Sequence, residues 1–150
     1  MILNDAETAM TFQNALIVSH ELAVQQALAA ALAKHDLTTI ITSSVADVEE
    51  VFSRVSISLV ICSDELPGAG VDRVIQLAAR TNKVPLIVVS RLDDWGRFLY
   101  FLQHGAFDYI VYPLKQGEVD RVVKNALSAV CLLRAGEVPK EMQWVLKRGA

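Results

Sequence analysis

The 150-residue sequence predicts an α/β fold, a doubly wound five-stranded parallel sheet with helices on both faces. Three observations lead there. From about residue 14, short β-rich apolar runs alternate with longer stretches of helical period, the pattern of strands joined by helical crossovers. Three of the five strand candidates are continuously apolar, as strands covered on both faces should be. The length suits one domain around one core, since a chain of this size buries roughly 70% of the surface it exposes when unfolded.

The expected strands are residues 15–19, 38–42, 57–62, 86–90 and 109–112. The first, third and fourth are the apolar ones and belong at the centre of the sheet. In the first helix Val24, Ala27, Leu28, Ala31 and Leu32 recur at i, i+3, i+4, i+7 and i+8, a core-facing stripe. The second opens at Ser43 or Ser44, whose hydroxyl can cap the free amides ahead of residues 45–54. The third begins near Gly70, buries Val71, Val74, Ile75 and Ala78, and stops before Asn82 and Pro85. The fourth runs from Asp93 or Asp94 to Gln103, with His104 and Gly105 as its stop. The fifth covers about 117–134 and buries Val119, Val122, Val123, Ala126 and Val130. The chain thus divides into an N-terminal arm (1–13), the α/β domain (14–134) and a tail (135–150). In the tail, Pro139, Met142, Trp144, Val145 and Leu146 fit a short amphipathic helix.

Composition narrows the function classes. Apolar residues make up 53% of the chain, too many for a disordered one, yet no apolar run approaches the ~20 residues of a membrane span. Net charge is −3 and the Lys and Arg residues are scattered, so no nucleic-acid footprint is expected. The opening MILNDAETAMTF has neither a basic cluster nor a continuous apolar stretch, so it does not read as a signal peptide, and a cytoplasmic location is expected. Cys62 and Cys131 lie in a strand and a helix without metal-ligand spacing, which argues for reduced structural thiols.

In a doubly wound sheet, ligands bind beyond the carboxyl ends of the strands, where the strand order reverses. Those ends collect Ser19, His20 and Glu21 after the first strand, and Ser63 and Asp64 after the third. Ser90 and Arg91 follow the fourth and Tyr112 the fifth.

Two stretches on these strands carry a resemblance. Leu59-Val60-Ile61-Cys62-Ser63-Asp64-Glu65-Leu66-Pro67-Gly68 is similar to the third strand and following loop of bacterial response-regulator receiver domains. There a phosphorylated Asp stands four residues before the Pro; here that position is Ser63. Gly105-Ala106-Phe107-Asp108-Tyr109-Ile110-Val111-Tyr112-Pro113-Leu114 resembles the segment where the family keeps a Lys before a cis-forming Pro; here that residue is Tyr112. The family's Mg²⁺-holding acidic pair falls on Ser19 and His20, with Glu21 next. The family's small hydroxyl after the fourth strand is kept as Ser90, and its switch aromatic matches Tyr109. The resemblance covers about residues 14–134. It implies a flavodoxin-like sheet of order 2-1-3-4-5 and a place in two-component phosphorelay signalling.

The departures decide the expected chemistry. Phosphoryl transfer depends on positioning and on neutralising the charge of the phosphoryl oxygens, which Mg²⁺ and a Lys supply. Mg²⁺ is held by carboxylates, and Ser19 and His20 offer none. A Ser hydroxyl at 63 is a poor acceptor without a base, and Tyr112 carries no fixed charge. Alternatives are a non-standard acceptor at Asp64 or Ser63, a metal held by Glu21 and Asp64, and His20 as base for a nucleophilic Ser63. The last lacks an acidic orienter and a GxSxG elbow. A flavin or other small ligand would need a Gly- and Thr-rich cradle, which Ser19-His20-Glu21-Leu22 is not. The expectation is a degenerate receiver: no enzyme, no metal, no cofactor, no nucleic acid and no membrane.

Such a domain works by contact with a signalling protein or with a second copy of itself. In the fourth helix, a stripe through Trp95, Phe98 and Leu102 would satisfy the core, and Tyr100 and Phe101 cannot both share it. Each aromatic buries ~150–250 Å², so two or three left outside approach the ~300–600 Å² of a monomer's largest apolar patch. The competing reading has Phe101 filling a gap in the core. Leu127, Cys131 and Leu132 on the fifth helix adjoin this surface, and the expected interface is Trp95, Tyr100, Phe101, Leu127 and Cys131.

Overall fold

The computed structural model describes residues 13–81 and 83–135, with side chains to residue 130. The arm up to residue 12, the tail from residue 136 with its expected helix, and the side chain of Cys131 lie outside the described residues. The elements are β1 (Gln13–Val18), α1 (Leu22–Leu32), a 3₁₀ turn (Ala33–His35), β2 (Leu37–Thr42), α2 (Val45–Arg54), β3 (Leu59–Ser63), α3 (Gly70–Arg80), β4 (Leu86–Ser90), α4 (Trp95–Gln103), β5 (Asp108–Val111) and α5 (Gln116–Ala135). All strand pairs are parallel and the order is β2-β1-β3-β4-β5. The apolar strands β1, β3 and β4 are therefore the central ones, and the order reverses between β1 and β3.

Period-two alternation divides the core. Leu16, Val18, Val60, Cys62, Leu86 and Val88 face one side, against Val48 of α2, Val71, Val74 and Ile75 of α3, and Phe101 of α4. Ala15, Ile17, Leu59, Ile61, Ile87 and Val89 face the other, against Val24, Leu28 and Leu32 of α1 and Val119, Val122 and Val123 of α5. On that second side a polar tie joins α1 to α5. The Asp120 carboxylate meets Lys34 at 2.8 Å, His35 at 2.7 Å and Gln116 Nε2 at 2.8 Å, and the same Nε2 donates to Ala31 O at 3.0 Å.

Local signals place the helix ends. Ser44 Oγ accepts from Asp47 N at 3.3 Å and Asp94 Oδ1 from Gly96 N at 2.9 Å, so these two are the N-caps. After α4 the chain turns at Gly105, whose φ of 112° is open to glycine. Gly70 starts α3 so close to the preceding loop that a Cβ would stand 2.8 Å from Leu66 Cβ.

Strand ends move by one or two residues from expectation. β1 takes in the polar Gln13 and Asn14, which pair with Leu37 and Thr38. β3 begins at Leu59 and not Ile57, because residues 56–58 are tied to β1 before its ladder starts: Asn14 Nδ2 donates to Ser56 O, and Ser58 N to Asn14 O, each at 2.9 Å.

The expected core stripe of α4 is corrected. Phe101, 4% exposed, is its buried aromatic; Phe98 and Leu102 are half-buried and Trp95 is 68% exposed. The helix is short and packs at the β5 edge, where Phe101 stacks on Tyr109 with ring centroids 6.2 Å apart. Ala106 N donates to Phe101 O at 2.9 Å and holds that geometry. Phe101 is therefore withdrawn from the interface set. Among the described residues, no helix is long and apolar enough to cross a membrane.

Candidate functional site

Three serines terminate the three central strands in the same way. Ser19 Oγ accepts from Glu21 N at 3.1 Å, Ser63 Oγ from Glu65 N at 3.3 Å, and Ser90 Oγ from Leu92 N at 3.0 Å. Each hydroxyl thus closes a turn onto the amide two residues on, and all three serines are buried. The apolar strands need a small residue where they leave the core, and a hydroxyl satisfies the first amide that the ladder no longer pairs. Ser19 is fixed further: its N donates to Thr42 O at 3.1 Å, and its O accepts from Gln25 Nε2.

Charge gathers just beyond the serines. Arg91 NH2 lies 3.1 Å from Glu21 Oε2 and Arg91 Nε 3.3 Å from Glu65 Oε2, while its Cζ stands 4.6 Å from the Tyr112 ring centroid. The hydrogen bond from Arg91 holds the Glu21 carboxyl below the usual range; burial, and then the hydrogen bond with Glu21, push Glu65 above it. Beside them the Asp64 side chain is only 3% exposed and is gripped by Arg97 of α4, itself 37% exposed. Tyr109 points inward and donates its hydroxyl to Leu92 O at 2.6 Å. The Tyr112–Pro113 peptide is cis.

The residues singled out from the sequence do converge. Ser19, Glu21, Ser63, Asp64, Ser90, Arg91 and Tyr112 lie on the four adjoining loops that leave β1, β3, β4 and β5. His20 is exposed, and among the described residues it makes no hydrogen bond to Ser63, so no base is placed against that hydroxyl. Glu65 and Arg97 were not singled out by sequence reasoning; the only local signal was the place of Glu65 on the loop after β3 and of Arg97 in the first turn of α4, both at the sheet's carboxyl edge.

The resemblance implies a Mg²⁺ ion at this mouth, and the residues do not fit one. Ser19, His20 and Ser63 supply no carboxylate, the hydroxyls of Ser19 and Ser63 already close turns, and the nearby acids Glu21, Glu65 and Asp64 are paired with guanidinium groups. Among the described residues, no group of three or more His, Cys, Asp or Glu side chains is arranged to hold a metal. Cys62 is buried in β3, and burial pushes its thiol pKa far up, leaving an inert structural thiol.

No protein-family model matches the chain. It is 28% identical over 119 residues to the response regulator protein PilR of Pseudomonas aeruginosa, covering 79% of this chain but 27% of that protein. The receiver domain of the TMAO respiratory system response regulator TorR is 25% identical, with a TM-score of 0.71 over 79% of this chain and 98% of its own. A response regulator receiver domain protein from Clostridium thermocellum superposes with a TM-score of 0.72 at 19% identity, over 81% of this chain and 99% of its own. The signal receiver domain of an HD domain-containing protein from Pseudomonas fluorescens gives 0.72 at 16% identity, over 80% and 98%. With its 2-1-3-4-5 parallel sheet and its match to receiver domains over nearly their whole length, the chain has the receiver-domain fold of two-component response regulators.

Proposed function

We propose that the chain is a receiver-type signalling domain that accepts no phosphoryl group, performs no catalysis, and acts in the cytoplasm by binding a protein partner or a second copy of itself. One observation carries this reading. At the position where the resemblance puts the acceptor, Ser63 presents a buried neutral hydroxyl that accepts from Glu65 N, and among the described residues no base is hydrogen-bonded to it. The neighbouring acid, Asp64, is held by Arg97, and attack from its carboxylate would have to break that buried pair.

The contact surface is carried by α4 and the loop before it. Leu92, Trp95, Leu99 and Tyr100 are exposed there, and Leu127 of α5 is half-buried. Several large apolar side chains exposed together on one short helix and the loop before it support an interaction patch. Incubating the protein with acetyl phosphate and Mg²⁺ and recording its intact mass tests the phosphoryl part. An unchanged mass is expected, and an adduct of one phosphoryl group would overturn the reading.

A further inference from the structure

Glu21 and Glu65 come from loops on opposite sides of the point where the strand order reverses, yet both turn to Arg91, at 3.1 and 3.3 Å. The same guanidinium lies over the Tyr112 ring of a fourth loop. From the loop after β4, one side chain therefore reaches the three loops that leave β1, β3 and β5. Two carboxylates facing one another repel unless a cation lies between them or they share a proton. A guanidinium suits the position better than an ammonium would: its planar fork serves two carboxylates at once, and its face stacks on an aromatic ring.

We propose that Arg91 is the resident cation of this mouth, filling the role that a dissolved divalent ion would otherwise have between Glu21 and Glu65. The inference deepens the functional reading above and rests on it, since a mouth that exchanged metal for phosphoryl transfer would need this position free. Its consequence is geometric. Leu22 directly follows Glu21, and Leu92 directly follows Arg91; both are exposed. Clasping Glu21 to Arg91 fixes the spacing of two apolar side chains at the rim, so the face shown to a partner is set without any ion.

Single surface ion pairs contribute little to stability, but a forked pair to two acids with a ring beneath is a network, where the contribution becomes measurable. The test compares melting of the wild type and Arg91→Gln in millimolar Mg²⁺ and in NaCl of matched ionic strength. The wild type should melt at the same temperature in both. Arg91→Gln should melt several degrees lower in NaCl and recover part of the loss in Mg²⁺, because its two acids now lack a cation. Adding Glu65→Gln to Arg91→Gln should abolish the recovery. An Arg91→Gln protein that melts like the wild type, a wild type raised by Mg²⁺, or a double variant that still responds would each overturn the proposal.

A second readout needs no variant. The Arg91 Nε–H resonance of the wild type should be protected from exchange and unmoved by Mg²⁺; fast exchange, or displacement by the ion, contradicts the clasp. The two readings fail separately. A phosphoryl adduct on the wild type sinks the proposed function, whereas the melting and resonance results bear on Arg91 alone.

Discussion

Arg97 of α4 closes on Asp64, the residue immediately after β3, and so ties the fourth helix to the mouth of the sheet through a carboxylate that solvent barely reaches. The same guanidinium has its Cζ 5.7 Å from the Phe101 ring centroid, which couples the pair to the core beneath α4. Position and charge of the one acid beside Ser63 are thereby committed to structure.

Removing Arg97 should be costly. Breaking a buried ion pair costs about 3–5 kcal/mol, and the partial exposure of Arg97 scales this down to roughly 1–3 kcal/mol for Arg97→Ala. Asp64→Asn should cost less, because an amide oxygen still accepts from the guanidinium. Urea denaturation measures both; an Arg97→Ala protein as stable as the wild type contradicts the arrangement.

Each strand-end serine should behave as a turn former. Ser19→Ala, Ser63→Ala and Ser90→Ala remove one hydrogen bond apiece and leave a loop amide unpaired, for about 0.5–1.5 kcal/mol each. Similar losses at all three are expected in denaturant titrations. If Ser63→Ala alone were neutral, its hydroxyl would be free for another purpose.

Much of this architecture was legible in the sequence and some was not, for physical reasons. Continuous apolar runs marked β1, β3 and β4 as central because burial on both faces leaves no polar position. Ser44, Asp94 and Gly105 declared their roles because caps and stops are local chemistry. The pairing of Arg91 with Glu21 and of Arg97 with Asp64 spans 70 and 33 residues, and nothing local says which charges will meet. On α4 the stripe through Trp95, Phe98 and Leu102 gave way to the competing reading of Phe101 as the core filler, since a nine-residue helix at a sheet edge is rotated by what it rests on, here Tyr109.

The tie between α1 and α5 sets a pH dependence. Hydrogen bonds from Lys34, Gln116 and His35 hold the Asp120 carboxyl well below the usual range. Its contribution is complete above the ordinary aspartate pKa and is lost as pH falls through the depressed folded value. Stability against pH should therefore differ between wild type and Asp120→Asn at neutral pH and converge in strong acid. Curves that stay parallel throughout would show that the carboxylate contributes nothing.

Self-association through α4 is best probed at Trp95. Tyr100 also hydrogen-bonds Asp72, at 3.2 and 3.3 Å, and packs on His104 with ring centroids 4.0 Å apart, so changing it disturbs the monomer. Trp95→Glu alters mainly the exposed surface, apart from a contact with Phe98. Light scattering should give twice the chain mass for the wild type and the single-chain mass for Trp95→Glu. Single-chain masses for both would reject the homodimer and leave a different protein as the partner.

A titration of isotopically labelled protein with Mg²⁺ and beryllofluoride, followed through backbone amide resonances, tests the closed mouth most directly. The amides of Glu21, Glu65 and Leu92, each held by a strand-end serine, should stay where they are at every concentration. Saturable shifts of those three together would mean that metal and phosphoryl analogue seat against the serines, and that this domain is a working acceptor after all.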